Sequence, residues 1–504
     1  MTEEEETNQS REKIAEMGKQ EMHEPVSIHL IEMAHEPENA NVSVEDYETE
    51  RNGQPKLEDV SEKKESEKQP TTLASIPKEI LDMIFSELYD SGVDPSTFIN
   101  LCNANKAFVG VAQAYIFREI SLPIQGPTTV VPEVPPTCER FRNLVRDRPA
   151  LPGHVQVLHL TYIWEGIEKN KETLTHESRT INPHFPEILS RLSNLREVRI
   201  RIQDGNWRND SETATAMALW NTFKDIEIKR LIIDCSRTPI LTRMMQLKTE
   251  EFTINTKLYT ICPGFTFDNT MSSSMPSLKC IHFGKLCLNP DTLAKICLRT
   301  RDLKSLFVRL CSSGRQGYSG LYALDSIQGS VEELALLELE SPRQYLHLKL
   351  SQQVSFHSFV KLRTLRVAAS LWFNQATFIN PNHQGQRGFS YRLEDRSGLY
   401  RLLPTQLEEL EIQFNHPFGI FGANPSYSIV FRQLSEVIQR KGCEWIEDLA
   451  KHSEYLPKLR ILKLFELHSN PQLCIGKYVP PVNVMETFRE AGMDLEIRVR
   501  LSDE

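Results

Sequence analysis

The chain has 504 residues, 40% of them hydrophobic and 25% charged, with a formal net charge of −10. At roughly 150 residues per domain, that length implies about three units, or a repeat array with a small domain attached. The acidity sits in residues 1–70, which hold 20 Asp and Glu against 8 Lys and Arg; the rest is near neutral, which argues against a generally basic nucleic-acid binder.

Residues 1–70 carry a single aromatic, Tyr47, among Glu, Lys, Ser, Asn and Gln. So little apolar surface does not offset the entropy of ordering, and a disordered acidic arm is expected. The Lys63-Lys64 pair reads as solvated charge. The first residues, MTEEEETNQS, have neither a basic region nor an apolar core, so no secretory signal is expected. No window approaches about 18 uninterrupted apolar residues, so neither a membrane span nor a membrane partner is expected. The ten cysteines are scattered without a C-x-x-C pair. They read as reduced, buried thiols of an intracellular protein, in cytoplasm and/or nucleus.

Residues 71–122 read as three short helices. The first, in SIPKEILDMIFSELY, is expected to start at Pro77, whose missing N–H is tolerated in a first turn. Glu79 complements the positive end of the helix dipole. Ile80, Leu81, Ile84, Phe85 and Leu88 then form one wide apolar face. Asp94 caps a second helix, with Pro95 in its first turn and Phe98, Leu101 and Cys102 along it. Asn105 caps a third, in which Phe108, Val111, Ala112, Tyr115 and Ile116 keep helical spacing. So small a core is marginal alone and gains from a partner or neighbouring domain. The stripe is therefore either purely internal or partly exposed for docking, and partial exposure is the expectation, because the arc is too broad for this core to hide.

Residues 123–150 contain six prolines, at 123, 127, 132, 135, 136 and 149, which exclude a continuous helix and favour an extended, semi-rigid link. From Leu151 to the end, at residues 151–504, an apolar-x-x-apolar-x-apolar pattern recurs. It appears as VQVLHL, LREVRI, IKRLII, LKCIHF, LKSLFV, VEELAL, LRTLRV, LEELEI and LRILKL, with EEFTIN as a degenerate copy and LEIRVRL as a closing strand. The second apolar positions are Leu158, Val198, Leu231, Phe252, Ile281, Leu306, Leu334, Leu365, Leu410 and Leu462. Helical segments lie between copies: FPEILSRLSN, ATAMALWNTFKD, PDTLAKICLRTRD and SIVFRQLSEVIQR. The fold class is therefore α/β. Each unit has a strand and a helix behind it, neither able to bury its apolar side alone, so stacking makes a continuous core. That is the logic of a leucine-rich-repeat-like solenoid. The spacing is looser than the roughly 20–29 residues of regular repeats, and insertions interrupt it.

No phosphate-binding glycine loop, H-E-x-x-H, paired C-x-x-C or G-x-S-x-G motif occurs, so no catalytic residue, metal or cofactor is expected. His282, in a strand, reads as a surface or partly buried residue rather than a metal ligand. An enzyme whose site is assembled from residues distant in sequence is the reading from another class, and no constellation supports it. Residues alternating with the apolar ones face the other side of the strands. Arg199, Arg201, Phe307, Arg309, Arg366 and Lys463 are the candidate substrate-binding positions there, with Glu409, Glu411, His159 and Phe465 among them. Such arginines could grip an acidic or phosphorylated segment; the alternative is a solvated sheet face.

Residues 75–122 resemble the F-box, a three-helix family module. Ile76, Pro77 and Glu79 match its start, Ile80, Leu81, Ile84, Phe85 and Leu88 its first helix, and Leu101 with Ala104, Asn105, Lys106, Ala107 and Phe108 its turn. Ile76, Ala104, Asn105 and Ala107 depart from the usual residues. The loss of the arginine at 107 removes one polar contact. With the proline-rich link and the irregular repeats behind it, the arrangement is similar to fungal F-box proteins. The resemblance implies that Ile76, Pro77, Glu79, Ile80, Leu81, Ile84, Phe85 and Leu88, with Leu101, Lys106 and Phe108, dock a Skp-type adaptor and through it a cullin–RING ubiquitin ligase. It implies that the repeat domain recruits an unknown protein substrate, and that the chain itself does no chemistry. The alternative is an adaptor-bound scaffold or regulator acting without ubiquitination.

Overall fold

The structure, a computed structural model, describes residues 76–123, 137–163, 184–203, 220–235, 244–245, 247–256, 260–261, 275, 277–288, 290–310, 319–338, 354–373, 377–379, 387–389, 393–414, 419–421, 435–466 and 475–500. The expected acidic arm and residues 71–75 lie outside the described residues. The chain forms two compact units. One comprises Met1–Pro123, Pro132–His159 and Glu187–Leu195; the other comprises Ile124–Val131, Leu160–Pro186 and Arg196–Glu504.

The first unit opens with three helices: α1 (Lys78–Asp90), α2 (Pro95–Ala104) and α3 (Lys106–Ile116). Pro77 stands one residue before the first turn, as the cap, and its carbonyl accepts from the N–H groups of Ile80 and Leu81 at 3.0 and 3.1 Å. Gly92 ends α1 at φ 74°, with Gly92 N–H on Tyr89 O at 3.0 Å and Val93 N–H on Leu88 O at 3.3 Å. That double closure satisfies two orphan carbonyls, and the left-handed φ suits glycine. Asp94 Oδ1 accepts from Ser96 N–H at 2.8 Å and Asn105 Oδ1 from Ala107 N–H at 2.9 Å, so both caps act as read.

Leu81, Phe85, Phe98, Phe108, Val111 and Ala112 form the core between these helices. Phe85 has the rings of Phe98, Phe108 and Tyr115 at 5.8, 6.1 and 6.1 Å, and Tyr115 Oη donates to Asp82 O at 2.9 Å. Strand β1 (Glu119–Pro123) follows. The stretch expected to be extended instead holds helix α4 (Thr137–Asp147). No proline falls between Pro136 and Pro149, and Cys138, Phe141 and Val145 are buried at helical spacing. Six prolines excluded helix from the stretch as a whole but not from this interval. Residues 124–136 lie outside the described residues.

Strand β2 (Val157–Ile163) begins in the first unit and ends in the second. Strands β3 (Glu197–Gln203), β4 (Ile228–Cys235), β5 (Thr249–Thr256), β7 (Cys280–Leu288), β8 (Ser305–Leu310), β9 (Glu333–Glu338), β10 (Thr364–Ala368), β13 (Glu409–Phe414), β14 (Ile461–Glu466) and β16 (Asp494–Arg500) then lie side by side in this order, each parallel to the next. β15 (Ile475–Tyr478) closes the sheet antiparallel to β16, β6 (Thr260–Ile261) pairs with β7, and β11 (Thr377–Ile379) pairs with β12 (Arg387–Phe389) apart from the sheet. The molecule is thus α/β with one large, mostly parallel sheet.

Every recurring segment of the sequence is one of these strands, and from Val198 onward the second apolar positions are mutual partners in register. Val198 pairs with Leu231, then Phe252, Ile281, Leu306, Leu334, Leu365, Leu410, Leu462 and Leu495. From Val198 to Leu462 none is more than 1% exposed. Full burial contributes about 1.5–3 kcal/mol for each such side chain, and a one-residue slip would turn all of them outward. The residues just before the strands form a second ladder, with main-chain bonds running Lys279, Lys304, Glu332, Arg363, Glu408 and Arg460 at 2.7–2.9 Å. Their side chains pair as Lys279–Glu250, Lys304–Glu332 and Arg363–Glu408 at 2.9, 3.7 and 3.9 Å.

Helices lie between strands less regularly than expected. α5 (Phe185–Arg191), α6 (Pro290–Cys297), α8 (Glu436–Lys451) and α9 (Val482–Glu490) are α-helical, and α7 (Ser370–Phe373) is a single turn. Ser319–Ile327 and Leu399–Leu402 are 3-10 segments instead. Of ATAMALWNTFKD only the end is described, and α8 begins eight residues later than SIVFRQLSEVIQR does and runs to Lys451.

A buried charge ties the C-terminal part together. Arg396, 2% exposed, donates to Ile420 O and Gly419 O at 2.7 and 3.0 Å, and its guanidinium lies 5.0, 5.4 and 5.5 Å from the rings of Phe373, Phe414 and Trp445. From the other side the fully buried Glu466 accepts Ile420 N–H at 2.7 Å. Hydrogen bonds to a charged group contribute about 1.5–3 kcal/mol each, so Arg396→Leu is expected to cost roughly 3 kcal/mol or more; urea unfolding checks this, and a change below about 1 kcal/mol would contradict the assignment. Phe85→Ala is expected to cost about 3–5 kcal/mol of the three-helix core, read as loss of amide protection over residues 78–116 while strand amides stay protected.

Candidate interaction surfaces

The apolar stripe of α1 is divided by the packing of the other two helices. Leu81 and Phe85 are 6% and 3% exposed and face the core; Ile80, Met83 and Ile84 are 45%, 68% and 43% exposed and face outward. At i, i+3 and i+4 these three are neighbours on the helix surface. Ile76, Leu88 and Leu101 pack against the core and are half-buried, Pro77, Glu79 and Lys106 are exposed, and Phe108 is buried. Leu81, Phe85 and Phe108, assigned to adaptor contact by their pattern, are therefore core residues. Leu88 is half-buried and packs against the same core. Met83 was missed by the sequence reading although its spacing from Ile80 and Ile84 carries the signal.

The second surface is the polar face of the sheet. Its central rung runs Arg199, Ile232, Thr253, His282, Phe307, Ala335, Arg366, Glu411, Lys463 and Glu496. The candidates share this face but are not brought together. Arg199 and Arg201 are on β3, Phe307 and Arg309 on β8, Arg366 on β10 and Lys463 on β14, so β3 and β14 stand several strands to either side of β8. At about 4.8 Å per strand, the candidates spread over tens of ångströms.

The cations are also already engaged. Arg199 pairs with Glu197; Arg230 bridges Glu197 and Glu251 at 3.2 and 2.5 Å; Arg366 lies 3.6 Å from Glu411, and Lys463 lies 2.8 Å from Glu409. Arg309 donates from Nε to Gly284 O at 2.9 Å and lies 5.9 Å from the Phe307 ring. Glu197 and Glu411 are buried and balanced by these partners. The face is thus largely a set of internal ion pairs, with a central rung that is uncharged from β4 to β9, and an anionic segment would have to displace carboxylates already in place. His282 stacks on Phe307 with ring centroids 4.2 Å apart and planes 2° from parallel.

Among the described residues, Cys138, Cys297 and Cys443 are buried thiols pushed up to about 12 by burial, and Cys102 and Cys280 are half-buried rather than buried as expected. Thiols so placed are protonated at neutral pH and poor nucleophiles. Among the described residues no group of three His, Cys, Asp or Glu could hold a metal ion, and no helix is long and apolar enough to cross a membrane.

Partial burial of the ring, and then the charge of Arg309, hold the His282 imidazole below its ordinary value of 6.5. Both causes disfavour the protonated form, so the ring stays neutral to a lower pH. An NMR titration is expected to give a midpoint below 6.5 that Arg309→Met raises only part of the way; a midpoint at or above the ordinary value would contradict this.

No protein-family model matches the chain, and no curated protein is similar to it.

Proposed function

We propose that the chain is a substrate receptor of an SCF-type ubiquitin ligase, with α1 to α3 acting as an F-box and the strand–helix array as a leucine-rich-repeat-like substrate domain. The observation that carries this reading is the outward patch of Ile80, Met83 and Ile84 on a helix whose other face completes a small core. Exposed apolar side chains gathered on one helix face are a recognition surface. A Skp-type adaptor would cover this patch, with Pro77, Glu79 and Lys106 as its polar and shaping rim. Covering the remaining exposed half of three such side chains contributes roughly 2–5 kcal/mol before the cost of association, and micromolar binding needs about 8 kcal/mol net. The rim and the half-buried Ile76 therefore have to contribute as well.

The second part of the reading rests on the sheet. Ten segments of one pattern, in register, give an extended surface on which a target can lie while the adaptor is held elsewhere on the chain. The receptor positions two proteins and performs no bond chemistry itself, so the ligase activity belongs to the cullin–RING partner.

With purified full-length chain, Ile80→Asp with Ile84→Asp is expected to weaken binding of a Skp-type adaptor by roughly a thousandfold, at about 2 kcal/mol for each side chain at the centre of an interface. Met83→Asp alone is expected to weaken it by at least tenfold, about 1.4 kcal/mol. Unchanged calorimetric affinity in the double variant would place the contact elsewhere. Co-purification separates receptor from scaffold: a receptor brings down cullin with the adaptor, and recovery of the adaptor alone would favour the scaffold.

A further inference from the structure

The central rung of the sheet's polar face is uncharged over its middle strands, although charged residues flank it above and below. Along the central rung, Ile232, Thr253, His282, Phe307 and Ala335 interrupt the charge between Arg199 and Arg366. At about 4.8 Å per strand this is a window of roughly 20 Å. His282 in it is exposed and Phe307 half-exposed, and their rings are stacked. The exposed His282 ring keeps its outer face for a third group, while the Arg309 guanidinium lies 5.9 Å from the Phe307 ring.

Carboxylates on this face divide into those that hold a cation and those, Asp234 and Glu333 in the window, that are met by an amide or a hydroxyl instead. Glu197, Glu251, Glu409 and Glu411 each hold an arginine or lysine. Glu333 is exposed, its polar contact is the Ser305 hydroxyl at 3.1 Å, and among the described residues no cation pairs with it. Ser305 is opposite Glu333 and Phe307 opposite Ala335, so the Glu333 carboxylate stands diagonally across from the Phe307 ring. That diagonal is about 7–8 Å between backbones, within reach of two adjacent side chains of one bound segment.

We infer that this window docks a segment of a target protein, and that the segment sets an aromatic or aliphatic side chain on the His282–Phe307 stack and a lysine or arginine on Glu333. An anionic segment fits less well. Glu333 repels it, Arg199, Arg366 and Lys463 already bind carboxylates of the same face, and Arg309, beside the stack, already donates to Gly284 O. Charge complementarity thus selects a basic, apolar segment over an acidic or phosphorylated one. The inference deepens the receptor reading by naming the chemistry of its substrate, and rests on that reading for its setting in ubiquitination.

Selection of a displayed library of random linear peptides on the full-length chain tests it. Enriched sequences are expected to carry an aromatic or large aliphatic residue close to Lys or Arg. A synthetic copy of the most enriched peptide is expected to bind Phe307→Ser at least about tenfold more weakly, as for an aromatic anchor. Repeating the selection on Glu333→Lys is expected to replace Lys and Arg by Asp and Glu. An unchanged thermal midpoint in both variants, whose side chains are half-exposed or exposed, shows that the sheet is intact. No enrichment on the wild-type chain, enrichment of acidic peptides, or a peptide affinity equal in wild type and both folded variants would overturn the inference. Adaptor binding by the same preparation separates the two readings. Peptide selection as described without adaptor binding would leave the window standing and remove the receptor; adaptor binding without it would do the reverse.

Discussion

The structure depends on registry between parallel strands, none of which can bury its own apolar side. A strand with Leu306 and Val308 on one face has nothing to shield them until its neighbours bring Ile281 and Leu334 alongside at the same level. Because side chains alternate, setting this level for one face sets it for the other. The polar face therefore acquires its order from the apolar one. Arg366 meets Glu411, and Lys463 sits a diagonal away from Glu409, because Leu365, Leu410 and Leu462 are already aligned behind them. The charged ladder in front of the strands follows from the same constraint, and its mostly alternating signs oppose a slipped register.

Much of this was legible in the sequence for a physical reason. Spacing of apolar-x-x-apolar-x-apolar marks both the strand and the level at which it enters the sheet, so the pattern alone aligns Phe252 of the degenerate EEFTIN with Leu231 and Ile281. Caps were legible too, since Asp94 and Asn105 act on N–H groups only two residues away. What could not be read depends on contacts distant in sequence. Arg396 and Glu466 meet across Gly419 and Ile420, and nothing near either residue marks it as buried. The surface arginines looked available because their carboxylates belong to other strands or to the opposite end of a local motif. α4 was missed because proline content was weighed over the whole stretch rather than over the proline-free interval that forms it.

The division of the α1 stripe shows the same limit at shorter range. Helical spacing puts Ile80, Leu81, Ile84, Phe85 and Leu88 on one broad arc, but α2 and α3 decide which part of the arc is core. Phe98, Phe108 and Tyr115 gather around Phe85 and draw Leu81 and Leu88 to that side. Ile80 and Ile84 are left outside together with Met83. In the proposed role such a helix would couple fold and recognition: the inner residues fix its rotation about its own axis, and that rotation fixes which apolar residues face outward. Substitutions on the two sides consequently have separable effects, on stability from within and on affinity from without.

Amide hydrogen exchange on the full-length chain, with and without saturating Skp-type adaptor, is the most direct measurement of the proposed role. The account predicts that the adaptor slows exchange along Lys78–Asp90 and around Lys106, and leaves the strands from Glu197 to Arg500 unchanged. Protection confined to the strands, or no change in α1 at adaptor concentrations that saturate an established F-box, would contradict it.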